Sequence, residues 1–129
     1  MKRLMFPAIA LCLAVGAASQ MSVPVRAAPQ ADAARGATLY QQRCAMCHTR
    51  SGKGGKIGPD LTAVIGRKAG STTYAYSSAM KASKTVWNAA TLDKYLAAPT
   101  KMIPGTKMVI SVSKPEDRAA IVRYLAAGK

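Results

Sequence analysis

The sequence predicts an all-α domain of helices joined by Gly-rich loops, and three observations lead there. Apolar residues recur at helical spacing in separate segments. The ends of those segments carry capping and breaking residues. No run alternates apolar and polar residues as a half-buried strand would. The 129 residues allow one ordinary domain, which excludes a large multidomain enzyme. Half of the residues are hydrophobic but only 5% are aromatic, so the core must rest on Ala, Leu, Ile, Val and Met.

The chain opens with Lys2 and Arg3, an uncharged apolar run over 4–18, and then small residues, which is the architecture of a secretory leader. The run is shorter than the roughly 20 residues that span a bilayer. Val25 and Ala27 are the small residues flanking Arg26 at a cleavage point, so the expected organisation is a leader, 1–27, removed on export, and a functional domain, 28–129. Cys12 leaves with the leader, and Cys44 and Cys47 are the thiols that stay.

A first helix is expected from Asp32 to about Met46, where Ala34, Ala37, Leu39, Tyr40 and Ala45 fall at helical intervals. Gly36 inside it costs about 1 kcal/mol against Ala, a penalty that points to close packing against another helix. Residues 49–59 hold four glycines and a proline and form a basic loop. A short helix is expected over 77–83, and a further one after Trp87, capped by Asn88, with Leu92, Tyr95 and Leu96 on one face and Pro99 as its stop. In the last helix Ser113 and Glu116 stand three apart as a capping box, Pro115 occupies the first turn, and Ile121, Val122, Tyr124 and Leu125 supply the apolar stripe before Gly128. Loops 49–59 and 99–112 are longer than a domain of this size leaves unsupported. A large apolar prosthetic group would hold them.

Lys and Arg number 19 against 5 Asp and Glu, for a net charge of +14. Such a field attracts anionic partners and makes encounters salt-dependent.

Cys44-Ala45-Met46-Cys47-His48 is C-x-x-C-H, the signature of covalent haem attachment. Two thiols three residues apart at a helix end face the same way and can add to the two vinyl groups on one porphyrin edge. The adjacent imidazole is then carried over the iron. Zinc would need four protein ligands, and the mature chain offers two cysteines, one histidine and five carboxylates. A thioredoxin-type pair would need a preceding strand, and a purely structural disulfide would leave His48 without a task. Covalent haem is therefore the expected cofactor. His48 is the only histidine, so the other axial ligand is of another type, and methionine is the natural candidate. Met46 is bound between the two anchoring cysteines, and Met80 lies in the short helix. Met102 and Met108 flank the turn Ile103-Pro104-Gly105-Thr106-Lys107, and spacing leaves both open.

From about Ala33 to Leu125 the chain resembles the class I cytochromes c, in particular the bacterial periplasmic relatives of mitochondrial cytochrome c. The matching stretches are Cys44-Ala-Met-Cys-His48, Gly58-Pro-Asp-Leu61, Gly66-Arg-Lys68, Trp87, Leu92-Asp-Lys-Tyr-Leu96, Pro104-Gly-Thr-Lys-Met108 and Tyr124-Leu125. The resemblance implies the class I cytochrome c fold, with helices and Gly-rich loops wrapped around one covalent haem c per chain. It implies that Met108 is the sixth ligand and Met102 its neighbour. It implies that the Pro59 carbonyl accepts from the second nitrogen of His48, and that Arg67, Tyr76 and Trp87 contact the inner propionate while Tyr95 and Thr106 tune the Met108 side. Gly36 and Tyr40 would meet Ile121 and Tyr124 where the first and last helices cross. Met80 and Met102 stand where mitochondrial members usually carry polar or aromatic residues.

An iron closed by His and Met has no open position for a substrate, and thioether ligation raises its potential. The implied function is a one-electron carrier, not an enzyme. It would be a periplasmic shuttle between a quinol-oxidising cytochrome bc complex and a terminal oxidase or photosynthetic reaction centre. Arg43, Lys53, Lys56, Lys101 and Lys107 match positions around the exposed haem edge, a basic ring for docking on these membrane redox complexes. The chain is expected to be monomeric, without stable membrane insertion. Dedicated service to one periplasmic dehydrogenase would use the same fold with another docking surface. A peroxidase or ligand sensor would instead need a five-coordinate iron. Export and the lack of an aromatic stacking array argue against nucleic acid as a partner.

Overall fold

The structure, a computed structural model, describes residues 27–53 and 57–128. The leader expected over 1–27 thus lies outside the described residues but for Ala27, as does Lys56 of the expected basic ring. Among the described residues five helices follow in order: α1 Ala27–Arg43, α2 Ser78–Ala82, α3 Ala89–Ala97, α4 Pro99–Met102 and α5 Pro115–Ala127. Among the described residues there is no strand, only an isolated antiparallel bridge between Lys68 and Val86.

The frame is a crossing of α1 on α5, with α3 packed against α5. Gly36 makes the crossing possible: a Cβ on it would run into the Ala120 carbonyl and stand 2.7 Å from the Tyr124 Cβ. Tyr40 then stacks on Tyr124 with ring centroids 5.4 Å apart, and Ile121 is fully buried beneath. This matches the expected contact between the first and last helices. Arg35 donates to the buried Asp117 at 2.5 Å, and Arg123 pairs with Asp32, both across the same interface. Arg118 ties α5 to α3 through Asp93 at 2.8 Å.

Local signals place the smaller elements. Ser77 caps α2 by accepting from the Met80 N–H at 3.2 Å. Asn88 caps α3 as expected, and Thr91 completes a reciprocal box: the Asn88 Oδ1 accepts from the Thr91 N–H at 2.9 Å, and the Thr91 hydroxyl accepts from the Asn88 N–H at 2.8 Å.

Three expectations are corrected. The first helix starts at Ala27 and ends at Arg43, with residues 44–47 continuing as turns. Loop 99–112 is not unbroken, because Pro99 opens the one-turn helix α4 at its first position, where a missing N–H costs nothing. The capping box of the last helix does not form. Lys114 is the N-cap and Pro115 takes the first helical position, so Glu116 falls one residue short of the N3 place the box requires and Ser113 lies outside the helix. No side chain caps this end, and Arg118 ties the preceding loop to the helix by donating to the Val112 and Ser113 carbonyls at 3.0 and 2.8 Å.

Candidate functional site: an apolar crevice with a C-x-x-C-H lip

The end of α1 builds the first wall of the site. After Arg43 the chain keeps turning: the Cys44 and Ala45 N–H groups donate to the Tyr40 carbonyl at 2.8 and 2.9 Å, and the His48 N–H donates to the Cys44 carbonyl at 2.8 Å. One tight turn therefore gathers Cys44, Cys47 and His48. Both cysteines are unpaired thiols and partly buried. Burial pushes the Cys44 thiol up to about 11, against a smaller opposing pull from Arg43.

The returning segment orients the imidazole. His48 Nδ1 lies 2.8 Å from the Pro59 carbonyl oxygen, and because a carbonyl only accepts, Nδ1 carries the proton. Nε2 is left as the nitrogen available to a metal. Gly58 lets the ring lie against the backbone: a Cβ there would stand 2.5 Å from the imidazole Cε1 and 2.9 Å from Nε2.

The opposite wall comes from α2, α3 and the turn after α4. Tyr95 on α3 is buried, and its hydroxyl is 2.5 Å from the Thr106 Oγ1. Burial raises the Tyr95 phenol above its ordinary value, and the Thr106 bond opposes this. Trp87 packs on Tyr95 with centroids 5.0 Å apart. The Tyr76 hydroxyl is paired with the Thr72 hydroxyl at 2.8 Å. Both terminal nitrogens of Arg67 donate to backbone, Nη1 to the Thr62 carbonyl at 2.9 Å and Nη2 to the Asp60 carbonyl at 2.8 Å. Pro104 and Gly105, the latter with φ +88°, turn the chain so that Thr106 faces inward and Met108 reaches the wall.

These walls enclose an apolar cavity of about 330 Å³. Cys44, Cys47, His48, Arg67, Tyr76, Trp87, Tyr95, Thr106 and Met108, the nine site residues named from the sequence, all line it. Met80 lines it too, whereas Met102 packs on the core without reaching it. Gly58 and Asp60 escaped the reading of individual residues. Their signals were present in a Gly-Pro pair and in an Asp-x-Thr turn, where the Asp60 Oδ1 accepts from the Thr62 N–H at 2.7 Å.

The donor set fits a haem c. Two thiols sit at one edge, an imidazole has its second nitrogen already bonded, a thioether is on the wall, and the lining is mostly apolar, with the Tyr76, Tyr95 and Thr106 hydroxyls hydrogen-bonded. Among the described residues no group of three or more His, Cys, Asp and Glu could hold a bare metal ion. Arg43 and Lys107 line the cavity and are exposed, and Lys53 and Lys101 are exposed as well. Lys107 differs from the others in that its ammonium donates to the Ala75 carbonyl at 2.6 Å. Ile57, Val109 and Ile110 line the cavity too and are exposed apolar residues.

A helical shell around an apolar crevice, with C-x-x-C-H on its lip, defines a c-type haem protein. The family model described as "Cytochrome c" matches residues 33–129. Cytochrome c of Theileria annulata is 49% identical over 100 residues, covering 75% of this chain and 86% of that one. Cytochrome c of Cochliobolus lunatus is 48% identical, covering 74% and 92%. Among solved structures, cytochrome cH from Methylobacterium extorquens matches with a TM-score of 0.69 and 40% identity, over 74% of this chain and 97% of that one.

The chain belongs to the cytochrome c family. Its members bind one covalent haem c through C-x-x-C-H, which Cys44, Cys47 and His48 provide, and they carry electrons rather than catalyse a reaction.

Proposed function

We propose that this cytochrome c holds its iron between His48 and Met108, with thioether bonds from Cys44 and Cys47 to the porphyrin. Arg67, Tyr76 and Trp87 then receive the inner propionate, and the Tyr95–Thr106 pair supports the Met108 side. The observation that carries this reading is that a single apolar cavity is lined by all nine of these residues. Bound there, the haem supplies a one-electron couple. The chain's own residues hold the ligands still, keep water away from the ring and leave one edge near the surface for transfer.

The domain works as a periplasmic shuttle, exported by the leader over 1–27 and then cleaved from it. It takes electrons from a quinol-oxidising cytochrome bc complex and passes them to a terminal oxidase or photosynthetic reaction centre. A bacterial relative with the same fold, the basic mouth and the leader-like start support this reading. No helix among the described residues is long and apolar enough to cross a membrane. Arg43 and Lys107 beside the exposed cavity-lining Ile57, Val109 and Ile110, with Lys53 and Lys101 as further members of the ring, suit a small, transient contact with an acidic partner surface. The test is reduction of the purified holoprotein by bc-complex preparations and its oxidation by oxidase or reaction-centre preparations. Rapid turnover with both halves is expected. Failure with either half, alongside fast exchange with one periplasmic dehydrogenase, would replace the shuttle by dedicated service.

A further inference from the structure

We propose that Asp60 is a positioning residue for His48, acting through the carbonyl of Pro59. The inference rests on the reading of His48 as an iron ligand and adds the residue that keeps that ligand's partner in place.

The Pro59 carbonyl lies in a segment, 49–62, whose described residues form no helix or strand. A carbonyl in such a segment keeps its distance to an imidazole only if another interaction fixes the segment. The Asp60 carboxylate supplies it. Its Oδ2 accepts from the Thr49 hydroxyl at 2.6 Å, the Ser51 N–H at 3.0 Å and the Gly52 N–H at 3.1 Å, while Oδ1 accepts from the Thr62 N–H at 2.7 Å. Three of these donors belong to the arm that leaves His48, and the fourth to the arm that follows Pro59. One side chain therefore closes the loop between the imidazole and its acceptor.

The grip is completed around it. The Gly58 N–H donates to the Cys47 carbonyl and the Leu61 N–H to the Thr49 carbonyl, each at 2.8 Å. Arg67 holds the Asp60 carbonyl from the other side at 2.8 Å. An ionised carboxylate suits four convergent donors because it only accepts, whereas an amide would turn a donor toward one of them. The bonds are charge-assisted. Burial alone would raise the Asp60 carboxyl, yet the bonds from Thr49, Thr62 and Ser51 outweigh it and hold the group well below the usual carboxylate range.

A hydrogen bond to the outer nitrogen fixes the orientation of a ligating imidazole and makes it a stronger donor. Stronger donation favours ferric iron, as does a nearby negative charge. Asp60 should therefore hold the midpoint potential down and protect the His48 Nδ1–H from exchange with solvent.

The test compares holoprotein carrying Asp60→Ala, Asp60→Asn and Thr49→Val with the unaltered chain. The readouts are midpoint potential and exchange of the His48 Nδ1 proton in the ferrous state, followed by NMR. In Asp60→Ala the proton should exchange about tenfold faster, as expected when a structured hydrogen bond weakens by one decade in its equilibrium, and the potential should rise. Asp60→Asn keeps one acceptor oxygen, loses the charge and turns an N–H toward one of the four donors, so exchange should quicken by less than in Asp60→Ala while the potential still rises. Thr49→Val, which removes one donor, should fall between. Unchanged exchange and unchanged potential in Asp60→Ala, even with lower thermal stability, would overturn the proposal. If that variant yields no holoprotein, unchanged values in Asp60→Asn and Thr49→Val would overturn it equally. An unaltered holoprotein without a low-spin, six-coordinate spectrum is a different result, and it would overturn the ligand assignment beneath the proposal.

Discussion

Gly36 on α1 lies against the Ala120 carbonyl on α5 with no room for a methyl group between them. The contact is with backbone, which cannot rotate away, and a Cβ would also press the Tyr124 Cβ at 2.7 Å. In Gly36→Ala the helical gain of about 1 kcal/mol should be outweighed by an overpacking cost of about 3 kcal/mol. Denaturant unfolding of the holoprotein should show a lower midpoint and a parted α1–α5 crossing. Unchanged stability would mean the helices sit further apart.

Acid should unfold the protein partly through Asp60. A carboxyl held below its ordinary value of about 3.9 adds stability above that value and loses it as pH falls toward the folded value. Asp60→Asn should therefore show a shallower loss of stability below about pH 4. Equal acid slopes for the two proteins would place the acid sensitivity elsewhere.

Met108 lies on the cavity wall and is the proposed sixth ligand. Met108→Ala should abolish the long-wavelength ferric absorption band that thioether ligation produces, lower the midpoint potential and admit carbon monoxide rapidly to ferrous iron. Met102→Ala should leave all three properties in place. A band that survives in Met108→Ala would move the ligand elsewhere.

Electron transfer with an acidic partner should slow as salt rises, most steeply as the Debye length shortens from about 30 Å at 0.01 M to about 8 Å at 0.15 M. Lys101→Glu, an exposed member of the proposed basic ring, should flatten that response. Lys107 serves also as a tether to Ala75, so its replacement should change stability as well as rate. A rate independent of salt would remove the steering role of the ring.

Much of this site was legible because its chemistry is local in sequence. C-x-x-C-H needs one turn, and the structure supplies that turn through the Tyr40 and Cys44 carbonyls. Asn88 was readable as a cap because its partner Thr91 is three residues away. The cap of α5 was misread for an equally local reason: Pro115 takes the first helical place and shifts Glu116 out of register. Helix α4 is four residues long and too short for any periodicity to reveal. The Asp60 hub escaped because three of its four donors lie eight to eleven residues away, and two of those are backbone N–H groups that leave no mark on composition. The stacking of Arg50 on Tyr124, 4.1 Å from the ring centroid, was hidden likewise, since it joins the loop after His48 to the last helix.

The central claim is that one porphyrin is bound through Cys44 and Cys47. Intact-mass analysis of the exported protein, made in a host competent for haem ligation, followed by peptide mapping, measures this directly. The mass should equal the processed polypeptide plus a single haem, carried on the peptide that contains Cys44 and Cys47, with neither sulfur open to alkylation. A colourless polypeptide whose two thiols both alkylate would contradict it.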